Sequence, residues 1–142
     1  MKALITGASS GIGRDIAKYL SSKGYECILV ARDQKKLKEL AKELDTKTYI
    51  KPYDLSISHN CYRLYDEVKD MDIDVLVNGA GFGLFGNTWE TDLDKELNMI
   101  NLNIVSLHIL TKLFLKDMIK KDKGYIMNIA SSAGFLAGPY LN

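Results

Sequence analysis

The sequence predicts an α/β fold, a doubly wound parallel sheet in three layers with five strands in the order 3-2-1-4-5. Three observations carry this. Apolar runs without internal charge (Ala3 to Ile5, Cys27 to Ala31, Val75 to Val77) recur along the chain, as they do in strands covered on both faces. Stretches with apolar residues at helical spacing lie between them, so strands and helices alternate, the pattern of right-handed crossovers. Each polar or glycine-rich motif falls at the carboxyl end of a strand, where ligands bind in such sheets.

Lys2 to Thr6 is the first strand. Thr6-Gly7-Ala8-Ser9-Ser10-Gly11-Ile12-Gly13 follows it, and then a helix from Gly13 to Lys23 that Gly24 is suited to end. Glu26 to Ala31 is the second strand, and Asp33 is placed to cap a charged helix with Leu37, Leu40, Ala41 and Leu44 on one side. Thr46 to Tyr53 makes the third strand, Ser58 to Val68 a helix, and Asp74 to Asn78 the fourth strand. Gly79 to Gly86 contains four glycines, too many for a regular element. One long helix is expected from Asp92 to Lys120, with Leu93, Leu97, Ile100, Ile104, Leu107, Phe114 and Met118 at helical spacing. Gly124 to Ala130 is the fifth strand, after which the chain runs to Asn142 without another element. Five strands are one short of the six in a full two-halved dinucleotide fold, so the sheet reads as truncated after strand five.

At 142 residues, with 46% hydrophobic and 26% charged residues, the chain is expected to be one soluble globular domain. A net charge of +1 leaves no basic footprint, so nucleic acid is not an expected partner. Met1-Lys2 leads straight into a strand, no signal-peptide pattern is present, and no run reads as long enough to span a membrane. A cytoplasmic protein without a membrane partner is the expectation. Cys27, Cys61, His59 and His108 stand apart from one another in sequence, so no metal site is expected.

The chemistry starts at the first crossover. A buried strand turning through glycines into a helix N-terminus offers free N–H groups and the positive end of the helix dipole to an anion. Gly7 suits a tight turn, Gly11 lets the backbone approach a pyrophosphate, and Gly13 lets the helix pack close to the strand. With a strand before and a helix after, this reads as a dinucleotide site, against the alternative of a chance glycine-rich turn. Arg32 stands after strand two, where an acidic residue would accept from the ribose 2′-hydroxyl of NAD. A guanidinium there suits a 2′-phosphate, with Ser9 adding a hydroxyl, so NADP(H) is expected ahead of NAD(H). A solvated surface charge is the alternative for Arg32. Asp54, after strand three, either accepts from the adenine amino group or is an ordinary turn residue.

Thr6-Gly-Ala-Ser-Ser-Gly-Ile-Gly13, Asp54-Leu55, Asn78-Gly-Ala-Gly81, Asn101-Leu102 and Asn128-Ile-Ala-Ser-Ser-Ala-Gly134 together resemble the ordered motifs of the short-chain dehydrogenases/reductases, in their compact branch. The resemblance implies a Rossmann-type NADP(H)-binding domain over residues 1–142, incomplete at its C-terminus. It implies an oxidoreductase that moves a hydride between NADP(H) and a small-molecule carbonyl or alcohol. Gly7, Ser9, Ser10, Gly11, Ile12 and Gly13 would hold the pyrophosphate and adenosine ribose, and Asp54 and Leu55 the adenine. Asn78, Ala80 and Gly81 would shape the cofactor groove. Gly79 departs from the family's usual second asparagine, which is expected to loosen its loop. Asn101 matches the helix asparagine whose backbone carbonyl supports a proton-relay water. Ser131 matches the substrate-orienting serine ahead of Ser132, because Ala133-Gly134 then aligns without a gap.

The family's chemistry also needs a tyrosine acid with a lysine four residues on, because a free phenol titrates near pH ~10 and needs a nearby cation to work at neutrality. Counted from Ser131, that tyrosine falls just past Asn142, while Tyr19/Lys23 and Tyr65/Lys69 have the spacing but come too early in the fold. Residues 1–142 alone are therefore expected to be inactive. Strand five is expected to be an open edge and the helix from Asp92 to Lys120 to expose an apolar face, which favours a homo-oligomer through either. A non-catalytic nucleotide-binding module, or a fragment acting through oligomerisation, is the alternative function.

Overall fold

In the computed structural model, which describes residues 1–134 and Tyr140, the strands are β1 (Lys2–Thr6), β2 (Glu26–Ala31), β3 (Thr48–Pro52), β4 (Val75–Asn78) and β5 (Tyr125–Asn128). The helices are α1 (Gly11–Ser22), α2 (Gln34–Lys42), α3 (Ser58–Val68), α4 (Leu93–Ile100) and α5 (Leu107–Lys120). The sheet order is β3-β2-β1-β4-β5, and every pairing is parallel. This is the order and class the sequence predicts.

The register explains the three layers. Tyr49, Ile28, Leu4, Leu76 and Ile126 stand side by side across the sheet, and their face packs on α3 and α5 through Leu64, Val68, Leu110, Phe114 and Met118. One residue further along each strand the side chains point the other way. Ile50, Leu29, Ile5 and Val77 then meet Ala17 of α1 and Leu37 and Leu40 of α2. The second row ends at Met127, which is 48% exposed, beside Tyr125 at 70%. No helix among the described residues covers that face of β5.

Several boundaries move for physical reasons. Helix α1 starts at Gly11, earlier than expected, with Ser10 in extended conformation before it. Strand β3 is shorter than expected because the Thr46 hydroxyl is committed to the Tyr25 carbonyl (2.7 Å) and meets the buried Ser21 hydroxyl (2.9 Å). Asp33 caps α2 as anticipated, its side chain accepting from the Lys36 N–H at 3.0 Å. The expected long helix exists but is not uniform, since a π-helical segment, Asn101–Ser106, separates α4 from α5. A short 3₁₀ turn, Ser132–Gly134, follows β5, where no element was expected.

The expectation that no run is long enough to span a membrane is not borne out. Leu93–Lys120 forms one continuous helical stretch of 28 residues, long and apolar enough by length and composition to cross a membrane. One side of it, Leu110, Phe114 and Met118, is packed into the core.

At the opposite end of the sheet from the glycine motifs, Asp74 ties three strands together. It is 6% exposed, accepts from the Lys2 backbone N–H at 2.8 Å and pairs with Lys123 at 2.8 Å. Burial alone would raise its carboxyl, but the Lys123 and Lys2 hydrogen bonds outweigh it and hold the group below its ordinary value. A depressed carboxylate contributes stability above its unfolded value, about 3.9, and loses it as pH falls through the folded value. Asp74→Asn should therefore be less stable than the parent at neutral pH, with the gap narrowing below about pH 4 in urea titrations.

Candidate functional site

The first crossover is built backbone against backbone. A Cβ on Gly13 would lie 2.5 Å from the Gly7 carbonyl oxygen, and one on Gly7 would lie 2.5 Å from the carbonyl oxygen of Gly79. Helix α1 thus rests directly on the β1 turn, and that turn on the β4 turn. Gly11 is different: its φ is +53°, and nothing lies within 4 Å of where its Cβ would be. The first-turn N–H groups of α1 face this open cradle without a side chain in the way.

Thr6 locks the two turns together. Its hydroxyl is 2% exposed, donates to the Val77 carbonyl at 3.2 Å, and accepts from the N–H groups of Gly79 (3.0 Å) and Ala80 (3.1 Å). The backbone at Gly79 is held on both sides. Its N–H is held by Thr6, and a Cβ there would lie 2.9 Å from the Thr6 carbonyl oxygen.

Along the carboxyl ends of β1, β2 and β3 runs a cleft of about 330 Å³. Of the expected residues, Gly7, Ser9, Ser10, Arg32, Asp54, Leu55 and Ala80 line it. Asp54 is held in place there, its Oδ1 accepting from the Ser56 N–H (3.0 Å) and hydroxyl (2.7 Å), and its carbonyl from Asn60 (2.8 Å). Asp33, Lys36, Tyr53 and Leu102 line the same cleft and were not foreseen as site residues.

The remaining expected residues lie elsewhere. Gly11 and Gly13 shape the turn beside the cleft, and Ile12 sits on the first turn of α1, 61% exposed. Asn78 turns inward: at 4% exposure its Nδ2 donates to Thr111 (3.0 Å) and to the Asn128 side chain (2.9 Å), bracing β4 against α5 and β5. Ser131 is exposed just past β5, its hydroxyl accepting from the Ala133 N–H at 3.1 Å. Beyond it, Tyr140 returns to the β4 loop, where its carbonyl accepts from Gly86 at 2.7 Å and its ring lies 5.9 Å from that of Phe85. The rest of the expected approach to the acid, Pro139, Leu141 and Asn142, falls outside the described residues.

Two residues past Asn101, and missed by the sequence reading, Asn103 makes the contact to the glycine-rich loop. Its Oδ1 accepts from the Phe82 N–H at 3.1 Å and its Nδ2 donates to the Phe82 carbonyl at 2.8 Å. A Cβ on Gly81 would come within 3.0 Å of the same oxygen. The signal available in the sequence was the pair Asn101-x-Asn103. An α-helical wheel misplaces it, because a π turn inserts a residue and rotates everything after it. The segment starts at Asn101 itself. Elsewhere, Cys27 and Cys61 are buried and free, and burial raises both thiols to about 11, so neither is a reactive thiolate.

The family model for the short chain dehydrogenases matches residues 1–142. The chain belongs to that family. Among characterised short-chain dehydrogenases it is similar to the very-long-chain 3-oxoacyl-CoA reductase of Rattus norvegicus, 32% identical over 98% of this chain and 47% of that protein. An uncharacterised oxidoreductase of Staphylococcus epidermidis is 37% identical over 94% of this chain and 59% of its own. In three dimensions the chain resembles a metagenomic short-chain oxidoreductase in complex with NADP, with a TM-score of 0.93 and 33% identity, covering 98% of this chain and 66% of that one. The chain spans about half the length of the reductases it matches.

Proposed function

We propose that these residues are the cofactor-binding part of an oxidoreductase that moves a hydride between NADP(H) and a carbonyl or alcohol. One observation carries the choice of cofactor. Arg32 lines the cleft at the carboxyl end of β2, while the acid beside it, Asp33, is engaged as the cap of α2. A guanidinium matches a 2′-phosphate through paired charge-assisted hydrogen bonds. The structural neighbour in complex with NADP supports the same reading.

The residues present fit the dinucleotide. The open cradle at Gly11, with Ser9 and Ser10, would take the diphosphate; Arg32 would take the 2′-phosphate; Asp54 and Leu55 would take the adenine. NADPH, when bound, supplies the hydride. The protein holds the cofactor, and the Ser131 hydroxyl hydrogen-bonds the reacting oxygen of the substrate. Asn103 is the better candidate than Asn101 for the supporting helix asparagine, because it is the one whose amide fastens the loop after β4. The substrate is a small-molecule carbonyl or alcohol; the relatives named as 3-oxoacyl-CoA reductases favour a ketone on an acyl chain.

A second copy of the chain is the proposed cover for the apolar side of α4 and the π segment, where Leu93 (65%), Leu97 (48%) and Ile104 (62%) are exposed. The reading is tested by spectrophotometry at the NADPH absorbance with a panel of ketones. A polypeptide of residues 1–142 should bind NADPH without oxidising it, and one extended to carry a Tyr/Lys pair at family spacing should oxidise it. Absence of both binding and turnover in both would overturn the enzyme reading.

A further inference from the structure

We propose that the peptide between Asn78 and Gly79, at the end of β4, is a modification site that the fold shuts off. When the strand end opens it cyclises and loses ammonia, and the modified chain does not regain its native packing. Asn78-Gly79 is the one Asn-Gly pair in the sequence. Without a Cβ, the Gly79 nitrogen is open to approach and its backbone can take up the cyclic geometry. The Gly79 backbone nitrogen bonds to Cγ of Asn78 and the Cγ–Nδ2 bond breaks. The nitrogen leaves as ammonia, with the proton that the Gly79 N–H gives up. Water then opens the cyclic imide at either carbonyl, leaving aspartate or isoaspartate at position 78.

In the fold each reacting group is held. The peptide between the two residues is fixed at both ends: its carbonyl accepts from the Ile129 N–H at 3.0 Å, and its N–H donates to Thr6 Oγ1 at 3.0 Å. Ring closure turns that peptide and breaks both bonds. The Asn78 side chain, 4% exposed, would also have to leave Thr111 (3.0 Å) and Asn128 (2.9 Å) to fold back over its own backbone. No donor among the described residues reaches its Oδ1 to polarise the carbonyl under attack. The same surroundings forbid a return. An aspartate here is a buried charge that has lost the two Nδ2 hydrogen bonds. An isoaspartate lengthens the backbone by a methylene where β4 meets its turn, which moves Gly79 off Thr6. The chemical lifetime of the chain therefore follows how often this strand end opens.

The test is peptide mapping by mass spectrometry after incubating the 142-residue chain at mildly alkaline pH, natively and in urea. In urea Asn78 should be converted faster than any other asparagine. Gly79→Ala, whose folding is immaterial there, should slow that conversion about tenfold or more. In native buffer the parent should convert Asn78 about tenfold or more slower than in urea. Asn78→Asp should melt about 10 °C or more below the parent, or fail to fold. Equal rates at Asn78 in native buffer and in urea, another asparagine reacting faster in urea, or an Asn78→Asp chain as stable as the parent would each overturn the proposal.

Discussion

Gly13→Ala is expected to cost about 3–5 kcal/mol, while Gly11→Ala costs about 1–2 kcal/mol and removes nucleotide binding. The same methyl group is added in each case. At Gly13 it would sit 2.5 Å from a backbone carbonyl oxygen that cannot move aside without pulling α1 off the sheet. At Gly11 it meets no protein atom within 4 Å, and the cost there is that of holding a non-glycine residue at φ +53°. Thermal melts should show a drop of about 10 °C or more for Gly13→Ala and a smaller one for Gly11→Ala. Titration with NADPH should then fail for Gly11→Ala even well below its melting temperature. Equal stability losses, or undiminished binding by Gly11→Ala, would contradict the division of labour between the two glycines.

The second large effect is on cofactor choice. Arg32→Ala is expected to weaken NADPH binding by about 30- to 100-fold, the loss of charge-assisted hydrogen bonds worth about 2–3 kcal/mol, and to leave NADH unchanged. Raising the salt concentration should erode the difference between the two cofactors in the parent, because the cleft is open to solvent and its charges are screened. If Arg32→Ala weakened both cofactors equally, the guanidinium would be a general packing or field contribution, and the preference for NADP(H) would lose its basis.

Much of the fold was legible because local signals agreed with one another. Charge-free runs marked β1, β2 and β4, Asp33 marked the start of α2, and strands alternating with helices left few alternatives to the order β3-β2-β1-β4-β5. The glycine roles were legible for the same reason, since close approach and open cradle each exclude a side chain. What escaped was information that depends on partners distant in sequence. Lys36 looks like any solvated lysine on a charged helix until the fold puts it on the cleft that Ser9 and Asp54 also line. Asn78 was expected at the groove, but Thr111 and Asn128 draw its amide inward. The π segment cannot be seen in apolar spacing, because the extra residue changes phase without changing composition, and with it went the distinction between Asn101 and Asn103. Gly79 was read through what it lacks, whereas its closeness to Thr6 is what the structure uses.

The central claim is that the cleft along the ends of β1, β2 and β3 holds an adenine dinucleotide, diphosphate at the Gly7–Gly13 turn and 2′-phosphate at Arg32. A crystal structure of the chain grown with NADPH tests it most directly. The account predicts density for the diphosphate within hydrogen-bond distance of the Gly11 and Ile12 N–H groups and a phosphate on the Arg32 guanidinium. An empty cradle at saturating NADPH, or a nucleotide bound elsewhere, would contradict it.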